Sequence, residues 1–316
     1  MKNKPAKIDY FILAGFKKEK MRECLFYKKE EDDLVRCRAC HHFCRIKPGQ
    51  AGVCGVRKNV EGELQLLVYG HPVSIAVDPI EKKPFYHFLP GSYALSLGTF
   101  GCNFRCANCQ NYDISQQKNE KIIRRYFEGQ AEISPEEIIQ SAKENDCQSV
   151  AYTYNEPTIW TEYALAIMKL AHKNNLKNVW VSNGYFSDEV LEKITPYLDA
   201  INVDIKSYED KFYRKYAGAR LNPVLENVKK IKKRNIHLEI TTLIIPTLSD
   251  DLEMLKNLAS FIIKELGTEM PWHISAFSSI ISWKLRDLPD TEPEKIKKIC
   301  AMAKKMELKN VYEGNV

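Results

Sequence analysis

The chain has 316 residues, of which 44% are hydrophobic and 28% are charged, and its formal net charge at pH 7 is +6. This composition excludes a disordered or fibrous chain and is typical of a soluble globular protein. No apolar run comes near the roughly 20 residues that span a bilayer, and the first residues lack the apolar core of a signal peptide. We therefore expect a cytoplasmic protein without a membrane segment. The 47 basic residues exceed the 41 acidic ones only slightly, which favours a solvated surface over a nucleic-acid interface.

The first thirty or so residues mix apolar and charged side chains and predict an N-terminal helical segment. A cysteine-rich stretch follows, in which a Cys-x-x-Cys pair precedes two further cysteines among glycines, at Cys37, Cys40, Cys44 and Cys54. This spacing is typical of a metal-binding knuckle. Four thiolates could close a tetrahedral zinc site or hold an auxiliary iron–sulfur cluster, and an unmetallated or redox-active group is the third alternative. His41 and His42 are expected beside the ligands rather than among them.

Three other cysteines, Cys24, Cys147 and Cys300, stand alone and are predicted to pack in the core. A short strand is predicted over residues 64–69. Residues 78–91 carry three prolines and several aromatic residues without a helical period, which indicates an ordered linking segment. We place a domain boundary near Pro90. Residues 1–90 then form the helical segment, the cysteine knuckle and the linker, and residues 91–316 form a larger core.

Short β-rich runs alternate with helical patterns beyond this boundary. Ser134 is predicted to cap a helix with Glu137 as its capping-box partner, and Ser249 precedes another apolar helical pattern. The six predicted strands are residues 94–100, 149–154, 178–182, 200–205, 237–244 and 272–277. Such alternation predicts a parallel sheet with right-handed crossovers. Roughly 225 residues are too few for a complete eight-unit barrel of about 250. The predicted fold is α/β, a partial (β/α)6 TIM-like barrel with a small N-terminal cysteine-rich metal-binding domain.

A second cysteine group, Cys102, Cys106 and Cys109, follows the first strand of this barrel. Three thiolates are one fewer than a closed zinc site or an all-cysteine cubane cluster requires. One metal position would therefore stay open to a ligand that is not protein. Reactive groups in parallel β/α folds lie on the loops after the carboxyl ends of the strands. The sequence thus predicts a cofactor site at this loop.

The pattern Cys-x-x-x-Cys-x-x-Cys in this position resembles the radical S-adenosylmethionine (SAM) superfamily. The resemblance implies a [4Fe–4S] cluster bound by Cys102, Cys106 and Cys109, whose fourth iron is chelated by SAM. It also implies reductive cleavage of SAM to methionine and a 5′-deoxyadenosyl radical that abstracts hydrogen. The residue before the third cysteine is aromatic in the family and is Asn108 here. Adenine would then be held by backbone groups, by Phe104 or by Asn108.

Further strand ends resemble the SAM-binding segments of the superfamily and of glycyl-radical-enzyme activating enzymes. The resemblance implies SAM contacts at Asn155, Glu156, Ser182, Asn183, Asp204, Lys206 and His273. Three of these predictions have structural alternatives. Asn155 and Glu156 could simply cap a helix, Asp204 and Lys206 could be an ion pair within the barrel, and His273 could be a core histidine.

The resemblance is closest to the radical SAM component of the AmmeMemoRadiSam system, and it covers nearly the whole chain. It implies Memo-like and AMMECR1-like proteins as partners, and a flavodoxin-type or ferredoxin-type reductant. Relatives continue into a tail with a further cysteine pair, whereas this chain stops at Val316. If the N-terminal metal site uses that pair, it would be incomplete here.

The leading functional hypothesis is an oxidoreductase that abstracts hydrogen from a protein or other macromolecule, in the manner of an activating enzyme. Radical modification of a small molecule or of RNA is the alternative among enzymes. Outside enzymes, the chain could be a non-catalytic iron–sulfur and zinc electron-transfer protein or a nucleic-acid-binding zinc protein.

Overall fold

The computed structural model describes residues 22–316. Its strands are β1 (Arg22–Glu23), β2 (Tyr27–Lys29), β3 (Val35–Cys37), β4 (Arg45–Ile46), β5 (Arg57–Val60), β6 (Glu63–Leu66), β7 (Ser74–Pro79), β8 (Tyr93–Gly98), β9 (Ser149–Tyr152), β10 (Lys177–Ser182), β11 (Ala200–Asp204), β12 (His237–Ile244), β13 (Trp272–Ala276) and β14 (Val311–Gly314). Its α-helices are α1 (Tyr112–Ser115), α2 (Glu120–Phe127), α3 (Pro135–Glu144), α4 (Thr161–Lys173), α5 (Asp188–Ile194), α6 (Asp210–Phe212), α7 (Leu221–Lys233), α8 (Leu252–Phe261) and α9 (Pro293–Lys305). No helix in this part of the chain is long and apolar enough to cross a membrane.

The main sheet of residues 22–316 has eight strands in the order β7 to β14. Strands β8 to β14 run parallel, and β7 pairs antiparallel with β8. All six predicted strands are present as β8 to β13, so the prediction of a partial TIM-like barrel is confirmed. The sequence prediction missed the two outer strands. β7 overlaps the presumed linking segment only at Asp78 and Pro79 and lies on the N-terminal side of the predicted boundary at Pro90, and β14 has only four residues.

One of the two predicted helix starts is confirmed, and the other is shifted by two residues. Ser134 and Glu137 form the predicted capping box at the start of α3. Asp251 rather than Ser249 caps α8, since its carboxylate accepts the Met254 N–H at 2.8 Å. The Ser249 hydroxyl instead donates to the Leu243 carbonyl and accepts the Ile245 N–H.

The N-terminal part consists of two small antiparallel sheets, β2-β3-β4 and β1-β6-β5. The predicted helical segment lies outside the described residues up to residue 21. From Arg22 onward that prediction is wrong, because β1 and β2 occupy this stretch. β1 pairs with β6 and β2 pairs with β3, and these pairings outweigh the local pattern that suggested a helix. The short strand predicted over residues 64–69 is present as β6.

An aromatic side chain closes the amino-terminal end of the barrel. Phe85 is fully buried in a cluster with Ala94, Ala151, Val179 and Ala200, which come from four successive parallel strands. Small side chains near the start of these strands leave room for one phenyl ring. The Pro84 carbonyl also accepts a 2.8 Å hydrogen bond from the Asn202 side chain. We call residues 84–88 the basal plug.

Glu239 on β12 anchors the basal plug electrostatically. Its buried carboxylate accepts the backbone N–H groups of Tyr86 and His87 at 2.9–3.1 Å. It also accepts hydrogen bonds from the rings of His237 at 2.9 Å and His273 at 2.6 Å. Burial raises the pKa of Glu239, but these four donors outweigh burial and lower the pKa from 4.5 to about 2.

The Glu239→Gln variant is expected to lose about 3 kcal/mol of unfolding free energy at neutral pH, since one pKa unit corresponds to about 1.4 kcal/mol. The folded-state pKa lies below the unfolded value, so the contribution of the carboxylate is complete above pH 4.5 and is lost as the pH falls toward 2. The stability difference from wild type should therefore shrink over that window in denaturant titrations. Glu144→Gln, an exposed change on α3, is the control. A difference that does not vary with pH would contradict the assignment.

Candidate active site

Two glycines fix the backbone of the three-cysteine loop at the carboxyl end of β8. A Cβ at Gly98 would lie 2.6 Å from the Thr153 carbonyl oxygen. Gly101 has φ of +86°, and a Cβ there would lie 2.5 Å from the Cys54 carbonyl oxygen. Because these neighbours are backbone atoms, no other residue fits at either position. The loop is therefore pressed between the end of β9 and the N-terminal cysteine knuckle.

The three thiols of this loop lie in a largely enclosed environment with donors around them. The Phe104 N–H donates to Cys102 Sγ at 3.4 Å, and Cys109 Sγ lies 3.1 Å from the Ser115 hydroxyl. Burial raises the pKa of Cys102 and raises that of Cys106 to about 11, and the Lys206 charge opposes the shift at Cys106. A bound cation would favour the thiolate forms of Cys102 and Cys106 at neutral pH.

The donor set fits a cluster that takes three protein ligands. Cys102, Cys106 and Cys109 are soft thiol donors on one compact loop, with the ammonium group of Lys206 beside Cys106. No other cysteine lies on this loop. Among residues 22–316, no three Cys, His, Asp or Glu side chains already stand at the spacing of a closed metal site. With the backbone fixed, each cysteine sulfur can change its position only by rotation about its Cα–Cβ bond.

Asn155 ties the start of the cysteine loop to the end of β9. Its side-chain amide donates to Thr99 Oγ1 at 3.1 Å and to the Gly101 carbonyl at 2.8 Å. Its oxygen accepts from the Thr99 N–H and from the Trp160 indole, each at 3.2 Å. All four hydrogen-bonding positions of this buried amide are used inside the protein. The structure thus places Asn155 as a support for the loop.

The Asn155→Ala variant is expected to lose about 2–4 kcal/mol of stability, because it leaves buried donors of Thr99 and Trp160 without partners. It should also retain less iron per chain after reconstitution, since Gly101 loses its anchor. Thermal unfolding and iron analysis measure both effects. Asn145→Ala, at the exposed end of α3, is the matched control and should change stability by less than about 0.5 kcal/mol. Full iron retention in Asn155→Ala would contradict the supporting role.

Glu156 joins the ends of β9 and β10. One carboxylate oxygen accepts from the Thr158 hydroxyl at 2.5 Å and from the Ser182 hydroxyl at 2.9 Å, and the other accepts the Asn183 N–H at 2.7 Å. Burial raises its pKa against these hydrogen bonds. Glu156 also caps the short helical turn Pro157–Trp160. The predicted pair Ser182 and Asn183 is thus held by the predicted Glu156.

Tyr154 occupies a backbone conformation that usually belongs to glycine. Its φ is +66°, at a position where the resembling family motif has glycine. The phenol compensates by donating to Asp78 Oδ2 at 2.8 Å, and Lys83 Nζ lies 4.4 Å from the ring centroid. The Tyr154 carbonyl accepts the Asn111 side-chain amide at 2.8 Å. These side-chain and backbone contacts therefore hold Tyr154 in the conformation that the family motif reaches with glycine.

Asp204 and Lys206 lie at the carboxyl end of β11 and form a 3.1 Å ion pair. Burial lowers the pKa of Lys206, but its acidic neighbours, Asp204 foremost, outweigh burial and raise it. The ammonium has three N–H donors, and Asp204 accepts one of them. Lys206 therefore remains protonated at neutral pH and can meet a further anionic group beside the cysteine loop.

The residues predicted to contact adenosine lie in different places. Phe104 is buried between Tyr185 and Tyr213, with ring centroids 5.2 and 6.2 Å away. Asn108 is half-buried on the loop. His273 lies near the start of β13, at the end of the barrel away from the cysteines, where it binds Glu239 and stacks on Tyr312. These contacts favour the core-histidine alternative for His273.

Asn103 is a central residue that the sequence interpretation missed. It is buried, its side-chain oxygen accepts the Asn183 amide at 2.8 Å, and its carbonyl accepts the His42 Nε2–H at 2.8 Å. Its side-chain nitrogen has no partner. Its position directly after Cys102 was the one sequence feature that could have indicated a role in the site.

The N-terminal cysteines Cys37, Cys40, Cys44 and Cys54 line a separate pocket that Asn103 also lines.

Residues 97–261 match the radical SAM superfamily, and this match covers more than half of the chain. The protein belongs to that superfamily, and its cofactors are a [4Fe–4S] cluster and SAM. An uncharacterized protein of Methanocaldococcus jannaschii is 42% identical over 296 residues, which cover 94% of this chain and 86% of the relative. The two chains therefore share the N-terminal part as well as the barrel.

More distant relatives include a pyruvate formate-lyase-activating enzyme of Clostridium pasteurianum. It is 24% identical over 213 residues, covering 63% of this chain and 85% of that enzyme. Among solved structures, Streptococcus suis SuiB bound to the precursor peptide SuiA aligns with a TM-score of 0.54 at 12% identity. That alignment covers 71% of this chain and 49% of SuiB, and it supports the fold alone.

Proposed function

We propose that this protein cleaves SAM reductively and abstracts hydrogen from a protein or other macromolecular substrate. The observation that carries the proposal is the placement of Cys102, Cys106 and Cys109 on one loop at the carboxyl end of a parallel barrel, next to Lys206. The loop offers three thiolates, and a closed site needs four protein ligands. An incomplete ligand set suits a metal centre that must bind a substrate directly.

When bound, the [4Fe–4S] cluster and SAM supply the electron and the 5′-deoxyadenosyl radical for hydrogen abstraction. The chain itself contributes charge and position. Lys206 offers a protonated ammonium for a carboxylate beside the loop. Glu156 holds the Asn183 backbone, and Asn183 in turn donates to Asn103 in the cysteine loop. A rigid frame of this kind restricts the bound cofactor to one orientation.

A macromolecular substrate is supported by the activating-enzyme relatives. The Clostridium pasteurianum relative is named for activating pyruvate formate-lyase, which is itself a protein. The same class of reaction needs a one-electron donor, for which we propose a flavodoxin-type or ferredoxin-type protein. Memo-like and AMMECR1-like proteins remain predicted partners. The division into domains of residues 1–90 and 91–316 likewise remains a prediction.

Anaerobic reconstitution with iron, sulfide, SAM and dithionite should yield 5′-deoxyadenosine, detected by mass spectrometry. Absence of that product above the protein-free background would reject SAM cleavage.

The substrate class is then tested with extracts of cells grown in deuterated medium. Deuterium should enter 5′-deoxyadenosine with the fraction retained by ultrafiltration. This transfer should disappear after protease treatment and survive ribonuclease. Transfer from the filtrate would identify a small molecule instead, and sensitivity to ribonuclease would identify RNA.

A further inference from the structure

Four thiols from the N-terminal knuckle line one pocket outside the barrel. They come from β3, the turn after it and the segment before β5, and the same pocket is lined by His42, Arg57 and Asn103. Cys37, Cys40 and Cys54 are buried, and Cys44 is half-buried. Buried thiols from separate segments facing one space form a ligand set rather than isolated core residues.

Donors without acceptors point to an anionic occupant of this pocket. Arg57 is 1% exposed, and its Nη1 has no partner, although its Nε and Nη2 bind the Ile159 carbonyl and Glu162. The Asn103 side-chain nitrogen is likewise buried and unpartnered. A buried donor without an acceptor costs about 1–3 kcal/mol. Thiolates around a metal would supply the missing acceptors.

We propose that Cys37, Cys40, Cys44 and Cys54 bind a second thiolate-ligated metal centre, whose role is to hold the Cys102 loop and the end of β10 in position. The metal site stands independently of the function proposed above. Its positioning role rests on that function.

Contacts on both sides of the knuckle support the positioning role. Toward the cysteine loop, the Cys54 carbonyl packs against Gly101, and the His42 ring donates to the Asn103 carbonyl. Toward β10, the His41 N–H donates to the Tyr185 carbonyl at 3.1 Å, and Cys40 forms a β-bridge with Phe186. The knuckle therefore spans the two segments that carry the predicted cluster ligands and Asn183.

The metal site is tested in the full chain carrying Ala at Cys102, Cys106 and Cys109. This variant should still bind one further centre, detected as zinc or as residual iron by elemental analysis, and the outcome does not depend on SAM cleavage. Adding Cys37→Ser and Cys40→Ser should remove that metal. Adding Cys147→Ser and Cys300→Ser should not. Since the ligand variant could fail to fold, a zinc-and-iron count in the triple variant alone decides the matter. No metal there overturns the proposal.

The positioning role is tested with His42→Phe, which keeps the seven cysteines of the two predicted metal sites and removes the hydrogen bond to Asn103. This variant should retain the metal content of wild type. The EPR spectrum of its reduced cluster should respond differently to added SAM. His172→Phe, an exposed change on α4, is the matched control. A His42→Phe spectrum identical to wild type with and without SAM would overturn the positioning role and leave a metal site of purely local effect.

Discussion

Alanine at all three of Cys102, Cys106 and Cys109 is expected to reduce 5′-deoxyadenosine formation to the protein-free background. We propose each of these thiols as a cluster ligand, and the loop has no fourth cysteine, so the loss of all three leaves no thiol on the loop to bind iron. The absorbance of the iron–sulfur chromophore should disappear as well. Single-turnover assays with SAM and dithionite under anaerobic conditions measure the product.

The fold should survive these substitutions. Gly98, Gly101 and Asn155 hold the loop backbone through contacts that involve no sulfur. The circular dichroism spectrum of the triple variant should therefore match that of wild type. Cys147→Ser and Cys300→Ser together form the control, because they also remove thiols but lie far from the loop in sequence. Residual product in the triple variant would show that SAM cleavage does not depend on this loop.

The Arg57→Met variant should lose about 3–5 kcal/mol of unfolding free energy. Arg57 and Glu162 form an ion pair between β5 and α4, and their side chains are only 1% and 4% exposed. Removing the cation leaves a buried carboxylate whose remaining partner is the Leu25 N–H at 2.8 Å. Chemical denaturation measures the loss, and the effect should be much larger than that of any exposed pair.

A double variant distinguishes the stability lost through the unpaired charge of Glu162 from the stability lost through changed packing at Arg57. Glu162→Gln added to Arg57→Met keeps an acceptor for Leu25 but removes the uncompensated charge, so it should recover part of the stability. Lys309→Met is the exposed control. Its ion pair with Glu269 is 64% and 67% exposed, and the change should cost less than about 1 kcal/mol. Equal losses in the buried and exposed variants would contradict this account.

Local patterns in the sequence were sufficient to predict the barrel strands β8 to β13 and the cysteine loop. Buried parallel strands carry continuous apolar runs, and ligand spacing is a property of the chain itself. The outer strands were not predictable in this way. β7 is bounded by Pro72 and Pro79, which mask its short apolar run, and its identity as a strand depends on pairing with β8.

The supporting roles in the site depend on which segments meet in space. The sequence placed Asn155 near the cofactor, but only the fold brings it within reach of Thr99, Gly101 and Trp160. Asn103 could not be distinguished from any other loop asparagine without the knuckle and β10 beside it. The sequence suggested that His273 contacts SAM. Because it lies near the start of β13, however, its side chain reaches Glu239 instead. For these site residues, the strand or loop that carries each one was therefore predictable, whereas its position along the barrel axis was not.

The basal plug has a kinetic consequence. Phe85 and the backbone held by Glu239 occupy the amino-terminal end of the described barrel, so we expect ligands to approach the cysteine loop from the carboxyl ends of the strands. If the substrate is the macromolecule that we propose, it and SAM would approach the cysteine loop from the same side. We then expect SAM to bind before the macromolecule, and its cleavage products to leave after it. Turnover on a macromolecule should accordingly follow a compulsory order, with exchange of nucleoside limited by release of the modified product.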